Sequence, residues 1–227
     1  MCGRFTLTLE ISALQMAFDL GAQTVDWKGH FNLAPSMLIP LLTNQQPERI
    51  QFFQWGLVPA WAKDPAIGSK LINARSETVQ EKPSFRTAFK SRRCLILADG
   101  FYEWQKAEAA KGGNKIPYYF QKKDHSPFYF AGLWESWVSK DDQNPLQTCT
   151  ILTCEANAVV KPIHERMPVI FDNEKGHAWL RSGQSAADLQ SMLTTAADGF
   201  LRSYAVSSLV NSPANNSAAC IDPLTRT

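Results

Sequence analysis

The chain has 227 residues, 44% of them hydrophobic and 19% charged, which suits one large domain or two small ones with a sizeable core and excludes an intrinsically disordered protein. Lys plus Arg number 23 against 21 Asp plus Glu, so the net charge is +2; that permits a local basic patch and argues for no polyanion by itself. No apolar run approaches a membrane span, and Glu10, Gln15 and Asp19 interrupt the stretch 9–20 where a signal core would lie, so the expected location is a reducing cytosol and not a membrane.

The chain begins Met1-Cys2-Gly3-Arg4-Phe5, with a side chain at position 2 small enough to permit removal of the initiator methionine. Removal leaves a thiol and a free α-amine on one carbon. An α-amine has a pKa of roughly 7.7–8.0, so about a tenth to a fifth of it is neutral at pH 7, against less than about a tenth of a percent for lysine. Such an amine condenses with an aldehyde, and the neighbouring sulfur then closes a five-membered thiazolidine; the amine can also serve as the base for the thiol. With Met1 attached the amine is acylated and that ring cannot form. A small buried structural cysteine explains position 2 equally well, so residues further along must decide.

Ile11, Leu14 and Phe18 fall at helical spacing and predict a short amphipathic helix over 10–20, after an N-terminal strand. Strands are expected at 37–42, 50–57, 93–97, 117–122, 128–133, 147–154 and 169–171, most of them short, aromatic-rich or alternating, and bounded by Pro, Gly, Asp or Asn. Ser84 reads as the cap of a helix over 84–93 with Phe85, Ala88 and Phe89 on its buried side. Arg86, Lys90 and Arg93 then form a basic stripe on the opposite side, a pattern that any solvated helix face shares. Two more helices are expected near 173–180 and 185–195, and loops or hairpin tips at 107–114 and 139–145. Nothing marks a boundary, so one α+β domain of mainly antiparallel strands spans 1–227.

The five cysteines (2, 94, 149, 154 and 220) are odd in number and contain no CxxC pair, so no zinc ribbon, disulfide framework, metal or cofactor is expected. Three polar constellations remain. In Lys70-Leu71-Ile72-Asn73-Ala74-Arg75 an extended backbone puts Asn73 and Arg75 on one face, an amide beside a guanidinium that suits a sugar and its phosphate. In Asp99-Gly100-Phe101-Tyr102-Glu103-Trp104 a carboxylate stands among aromatics, where burial would raise its pKa toward neutrality. In His164-Glu165-Arg166-Met167-Pro168 an extended backbone gives His164 and Arg166 a common face, a titratable imidazole beside a phosphate-pairing group. Trp61, on the proline-stiffened loop Gly56-Leu57-Val58-Pro59-Ala60-Trp61, can stack on a base or pack in a core. A turn-satisfying Asn, surface Arg and Glu residues and a structural His account for the same residues taken singly.

Taken together and in this order, these segments resemble the SRAP family of SOS response-associated peptidase-like proteins, whose members sense abasic sites in single-stranded DNA. The matching stretches are Met1-Cys2-Gly3-Arg4-Phe5, Asn32-Leu33-Ala34-Pro35, Trp55-Gly56-Leu57-Val58-Pro59, Ile72-Asn73-Ala74-Arg75-Ser76-Glu77-Thr78, Ala98-Asp99-Gly100-Phe101-Tyr102-Glu103-Trp104 and His164-Glu165-Arg166-Met167-Pro168, with a weaker continuation through Val206-Ser207, Val210-Asn211 and Asn215-Asn216. Leu33, where relatives often carry valine, is a minor departure. The absence of a long C-terminal tail makes the chain similar to compact bacterial members.

The resemblance implies a barrel-like sheet flanked by short helices, and a function as a sensor of abasic single-stranded DNA. Cys2 would be the N-terminal nucleophile that crosslinks to C1′ of the opened sugar, and Asn73 would orient it. Glu103 would shuttle protons and His164 would assist opening of the hemiacetal. Arg4, Arg75 and Arg166 would clamp phosphates, Arg86 would add to the DNA-binding surface, and Trp61 would line the DNA path. The family's name further implies removal of Met1 by the chain's own site. The chain is expected to act as a cytoplasmic monomer, nucleoid-associated when bound to DNA, with no membrane partner. Two other readings fit the same residues: a thiol peptidase or amidohydrolase using Cys2, Glu103 and His164, and a non-catalytic single-strand-binding module with an inert Cys2.

Overall fold

Apolar residues recur here in short β-branched and aromatic runs cut by turn residues, and strands form over most of them. The computed structural model describes residues 2–105, 115–139 and 144–224. Five of its strands close into a ring: β3 (Leu38–Thr43), β4 (Gln46–Trp55), β6 (Arg93–Ala98), β9 (Phe128–Trp137) and β10 (Leu146–Glu155) pair in the order β3-β4-β10-β9-β6 and back to β3. Closure leaves none of the five with a bare edge. Three short strands, β5 (Asn73–Arg75), β11 (Arg166–Pro168) and β12 (Ile170–Phe171), add to the ring where its long strands diverge. Val169 sits at that divergence, its N–H donating to Leu152 O of β10 while its carbonyl accepts from Ala131 N of β9. Most pairings are antiparallel as expected, but β10 runs parallel to both β4 and β5.

A second, all-antiparallel sheet has the order β13-β8-β7-β1-β2, with β1 at Phe5–Leu7, β2 at His30–Leu33, β7 at Gly100–Gln105, β8 at Ile116–Lys122 and β13 at Leu201–Ala205. Aromatic packing joins it to the barrel. Phe5 of β1 meets Trp55 of β4 edge-on at 5.3 Å between centroids and Phe130 of β9 at 5.6 Å, while Phe101 of β7 stacks on Phe120 of β8 at 4.9 Å. One continuous set of buried residues therefore runs from the barrel into β1 and β7, the strands that carry the N-terminus and Glu103.

The helices cover this core. Helix α1 (Ile11–Ala17) buries Leu14, and Phe18 just beyond it stacks on Tyr129 at 4.3 Å. Helix α2 (Arg86–Ser91) buries Ala88 and Phe89 as expected, but Ser84 is not its cap: the Lys82 carbonyl takes the N–H groups of Phe85 and Arg86, so a preceding turn supplies the start. Arg93 also departs from expectation. The helix ends at Ser91, and Arg93, the first residue of β6, turns inward and donates to the carbonyls of Lys90, Trp179 and Arg181. Helix α3 (Asn173–Leu180) starts on Asp172, whose side chain accepts from Lys175 N, and α4 (Ala186–Met192) starts on a reciprocal Ser185–Asp188 capping box. The expected loop at 107–114, and most of that at 139–145, lie outside the described residues. Among the described residues no helix is long and apolar enough to cross a membrane.

Candidate active site

Cys2 lies at the seam between the two sheets. Phe5 pairs with Phe101 and Thr6 with Gly100, and Tyr102 N donates to Arg4 O at 3.0 Å. The antiparallel register carried two residues back sets Cys2-Gly3 alongside Glu103-Trp104. From the barrel side, Asn73 Nδ2 donates to the Cys2 carbonyl at 2.8 Å, and Asn73 Oδ1 is buried and takes no hydrogen bond. The segment that carries Asn73 is held by β5 pairing to β10 and by the Trp55 indole N–H donating to Ile72 O at 2.8 Å. Arg75 follows on the same face and is exposed, with Ala74 buried between them, as extended backbone requires.

Both titratable groups at the seam are pushed toward their neutral forms. Burial raises the Glu103 carboxyl to about 7, which poises it to exchange a proton at physiological pH. Burial, reinforced by the Glu103 charge, holds the Cys2 thiol well above its ordinary range, and its S–H faces the Arg4 carbonyl at 3.9 Å. The other four cysteines are likewise buried and free.

His164 stands on the tight loop between β10 and β11. The Asn157 side chain accepts from Val160 N at 3.0 Å to shape that loop, and Ile163 and His164 donate to the Val160 carbonyl at 2.9 Å each. The loop is joined to the Glu103 strand through Gln105 Nε2 donating to Pro162 O at 3.4 Å, and a cleft of about 260 Å³ opens between Gln105 and residues 161–165. His164 Nδ1 faces the backbone of Arg166, 2.9 Å from its N–H nitrogen and 3.1 Å from its carbonyl oxygen.

The expected phosphate clamps separate into two kinds. Arg75 and Arg86 are exposed. Arg166 is not free: its guanidinium pairs in bidentate fashion with Glu77 at 2.6 and 2.9 Å and donates to Thr153 O at 2.6 Å. Arg4 is turned to the protein, donating to Asn32 Oδ1 at 2.9 Å, Val210 O at 2.5 Å and Asn211 O at 3.1 Å. Nothing local to Arg4 signals these contacts, because the acceptors lie near the other end of the chain. Trp61 is 59% exposed and stands outside the Cys2–Asn73–Glu103 group, on a loop pinned by Trp137 Nε1 donating to Ala62 O at 2.7 Å. It borders a cleft of about 410 Å³ that Lys63 and Lys70 also line.

The model of the family described as SOS response associated peptidase (SRAP) matches residues 1–213. The chain belongs to the SRAP family. This SRAP chain is 42% identical over 226 residues to "Abasic site processing protein YoqW" of Bacillus subtilis (strain 168), covering 98% of this chain and 99% of the relative. It is 30% identical to "Abasic site processing protein HMCES" of Gallus gallus, over 99% of this chain and 78% of that protein. A crystal structure of a protein from Bacteroides thetaiotaomicron shares the fold, with a TM-score of 0.88 at 27% identity over 99% of this chain and 100% of the other. The α+β architecture with its closed five-stranded barrel is thus the family's fold, as the resemblance implied.

Proposed function

We propose that this chain senses abasic sites in single-stranded DNA and joins itself to them covalently through Cys2 after Met1 is removed. The observation that carries this reading is the meeting of Cys2, Asn73 and Glu103 at one seam: a cysteine held through its carbonyl by an amide, which becomes an N-terminal aminothiol when Met1 leaves, beside a carboxyl raised to about 7. An abasic sugar is an aldehyde masked as a cyclic hemiacetal. His164 relays the proton as the ring opens: the ring oxygen gains a proton as the C1′–O bond breaks, and the anomeric hydroxyl gives one up to become the aldehyde. The Cys2 amine attacks C1′ and the carbinolamine loses water, with the protonated Glu103 supplying the proton that leaves on it. That leaves an iminium and a Glu103 carboxylate; the Cys2 sulfur adds to C1′ as its proton passes to that carboxylate, which restores the carboxyl. One C–N and one C–S bond form, and one water is released. Closure removes the imine that would otherwise promote strand cleavage.

Arg75 and Arg86 supply phosphate contacts and Trp61 a stacking surface for the strand. Arg166, its charge matched by Glu77, holds His164 through its N–H. The chain works in this scheme as a cytoplasmic monomer without a cofactor. A thiol amidohydrolase would instead turn over an amide substrate and gain no stable adduct mass. Self-removal of Met1, which the family's description as a peptidase suggests, is a single-turnover event visible as loss of one methionine residue. Intact-mass spectrometry after incubation with an abasic single-stranded oligonucleotide tests the proposal. The expected mass is that of the Met1-free chain plus the oligonucleotide less one water, stable to heating for the wild type and absent for Cys2→Ala. A Met1-free chain that gains no such mass would overturn it.

A further inference from the structure

Arg4 lies two residues from the nucleophile, and its guanidinium donates to Asn32 Oδ1 and the carbonyls of Val210 and Asn211. The segment 207–216 that supplies those carbonyls is itself built as a rigid strap. Asn32, fully buried, donates through Nδ2 to Val210 O at 3.2 Å, Ser212 O at 2.9 Å and Asn215 O at 2.9 Å. Asn215 Nδ2 donates to Leu209 O at 2.7 Å, and Asn216 Oδ1 accepts from Phe31 N at 2.8 Å. The strap also reaches the second strand of the site: the Trp104 indole N–H donates to Asn211 Oδ1 at 2.7 Å, one residue past Glu103. One residue, Asn211, thus touches both the strand of the nucleophile and the strand of the acid–base carboxyl.

We infer that Arg4 and the strap 207–216, through Asn211, are positioning elements of the crosslinking reaction, holding Cys2 and Glu103 in register with each other and contributing nothing to DNA affinity. This rests on the function proposed above. A planar guanidinium suits the part, because a fork of fixed N–H directions can bind several acceptors at once, which a lysine ammonium on a flexible stem does not reproduce. A phosphate contact is far less demanding: lysine serves as a point charge there. The two roles therefore respond differently to the same substitutions.

The experiment measures the single-turnover crosslinking rate at saturating abasic oligonucleotide, and separately the affinity for intact single strands and its salt dependence, on Met1-free wild type, Arg4→Lys, Arg4→Ala and Asn211→Ala. The expected result is a crosslinking rate at least tenfold lower in both Arg4 variants and several-fold lower in Asn211→Ala, with affinity within twofold of wild type and an unchanged salt slope. Asn211 is exposed, so its variant keeps the test informative if Arg4→Ala does not fold. Overturning results are rescue of the rate by Arg4→Lys, a weakened affinity with a salt slope shallower by about 0.7 in Arg4→Ala, as loss of one single-strand phosphate contact gives, or wild-type crosslinking in Asn211→Ala. Failure of the wild type to crosslink at all would instead count against the function proposed above.

Discussion

At the scale of single residues, Glu103 and Glu77 put two carboxyls to opposite uses. Glu103 is kept near neutrality by burial, with its pKa raised to about 7. Its folded value lies above the unfolded one, so the folded state holds an extra proton between about pH 4.5 and 7. Stability therefore falls as pH rises through that window and levels off above it, by a total on the order of 3 kcal/mol. Glu103→Gln should flatten that slope in denaturant titrations run across pH 4.5–8. It should also slow crosslinking by about 10²-fold and remove the inflection near pH 7 from its rate profile. Glu77 is half-exposed, and although its partial burial works the other way, the Arg166 guanidinium holds its carboxyl below the ordinary value. The carboxylate occupies the guanidinium that a phosphate would otherwise take. Glu77→Gln should accordingly tighten single-strand binding a few-fold and steepen the log–log salt slope by about 0.7, read by fluorescence anisotropy over a salt series.

At the scale of elements, the loop that presents Trp61 is set by two glycines packed backbone to backbone. Gly56 has φ +127°, a conformation other residues rarely adopt, and a Cβ placed on Gly68 would lie 2.6 Å from Gly56 O and 3.2 Å from Val58 Cγ2. Backbone cannot yield as a side-chain tip does. Gly68→Ala should destabilise the protein by about 1–3 kcal/mol in chemical denaturation and shift the emission of Trp61 as the loop moves. The helices and the long strands were legible in the sequence because each carries its own periodicity: α3 falls on the expected span 173–180, and β9 and β10 extend the expected strands by a few residues. What the periodicity could not mark was where a helix stops. The i, i+4, i+7 spacing of Arg86, Lys90 and Arg93 looked like one surface stripe, yet Arg93 begins a strand and is buried. The candidate residues Cys2, Asn73 and Glu103 could be picked out from short motifs, and the structure brings them to one seam. Arg4's acceptors could not, since nothing local to Arg4 signals residues 210 and 211.

At the scale of the whole molecule, the same arginine contrast separates stability from binding. Arg93 sits 5.7 Å from the Trp179 ring centroid and donates to the carbonyls of Trp179 in α3's last turn, Arg181 just past it and Lys90 in α2, so it ties α2, α3 and β6 together. Arg93→Ala should cost about 3–5 kcal/mol by leaving buried carbonyls unpaired and should leave single-strand affinity per folded molecule unchanged. Arg86→Ala should do the reverse, lowering affinity while shifting the thermal midpoint by no more than a degree or two (about 0.5 kcal/mol or less for a surface site). Thermal melts paired with binding curves on the two variants check both halves.

The depth of Cys2 has a practical corollary. Thiol-alkylating reagents report on accessible thiolate, and while Met1 is attached this sulfur offers neither access nor charge. Surveys that rank reactive cysteines by labelling with iodoacetamide will pass over the Met1-bearing chain, whereas a small aldehyde, which engages nitrogen first and sulfur second, is the kind of probe to which the Met1-free terminus answers.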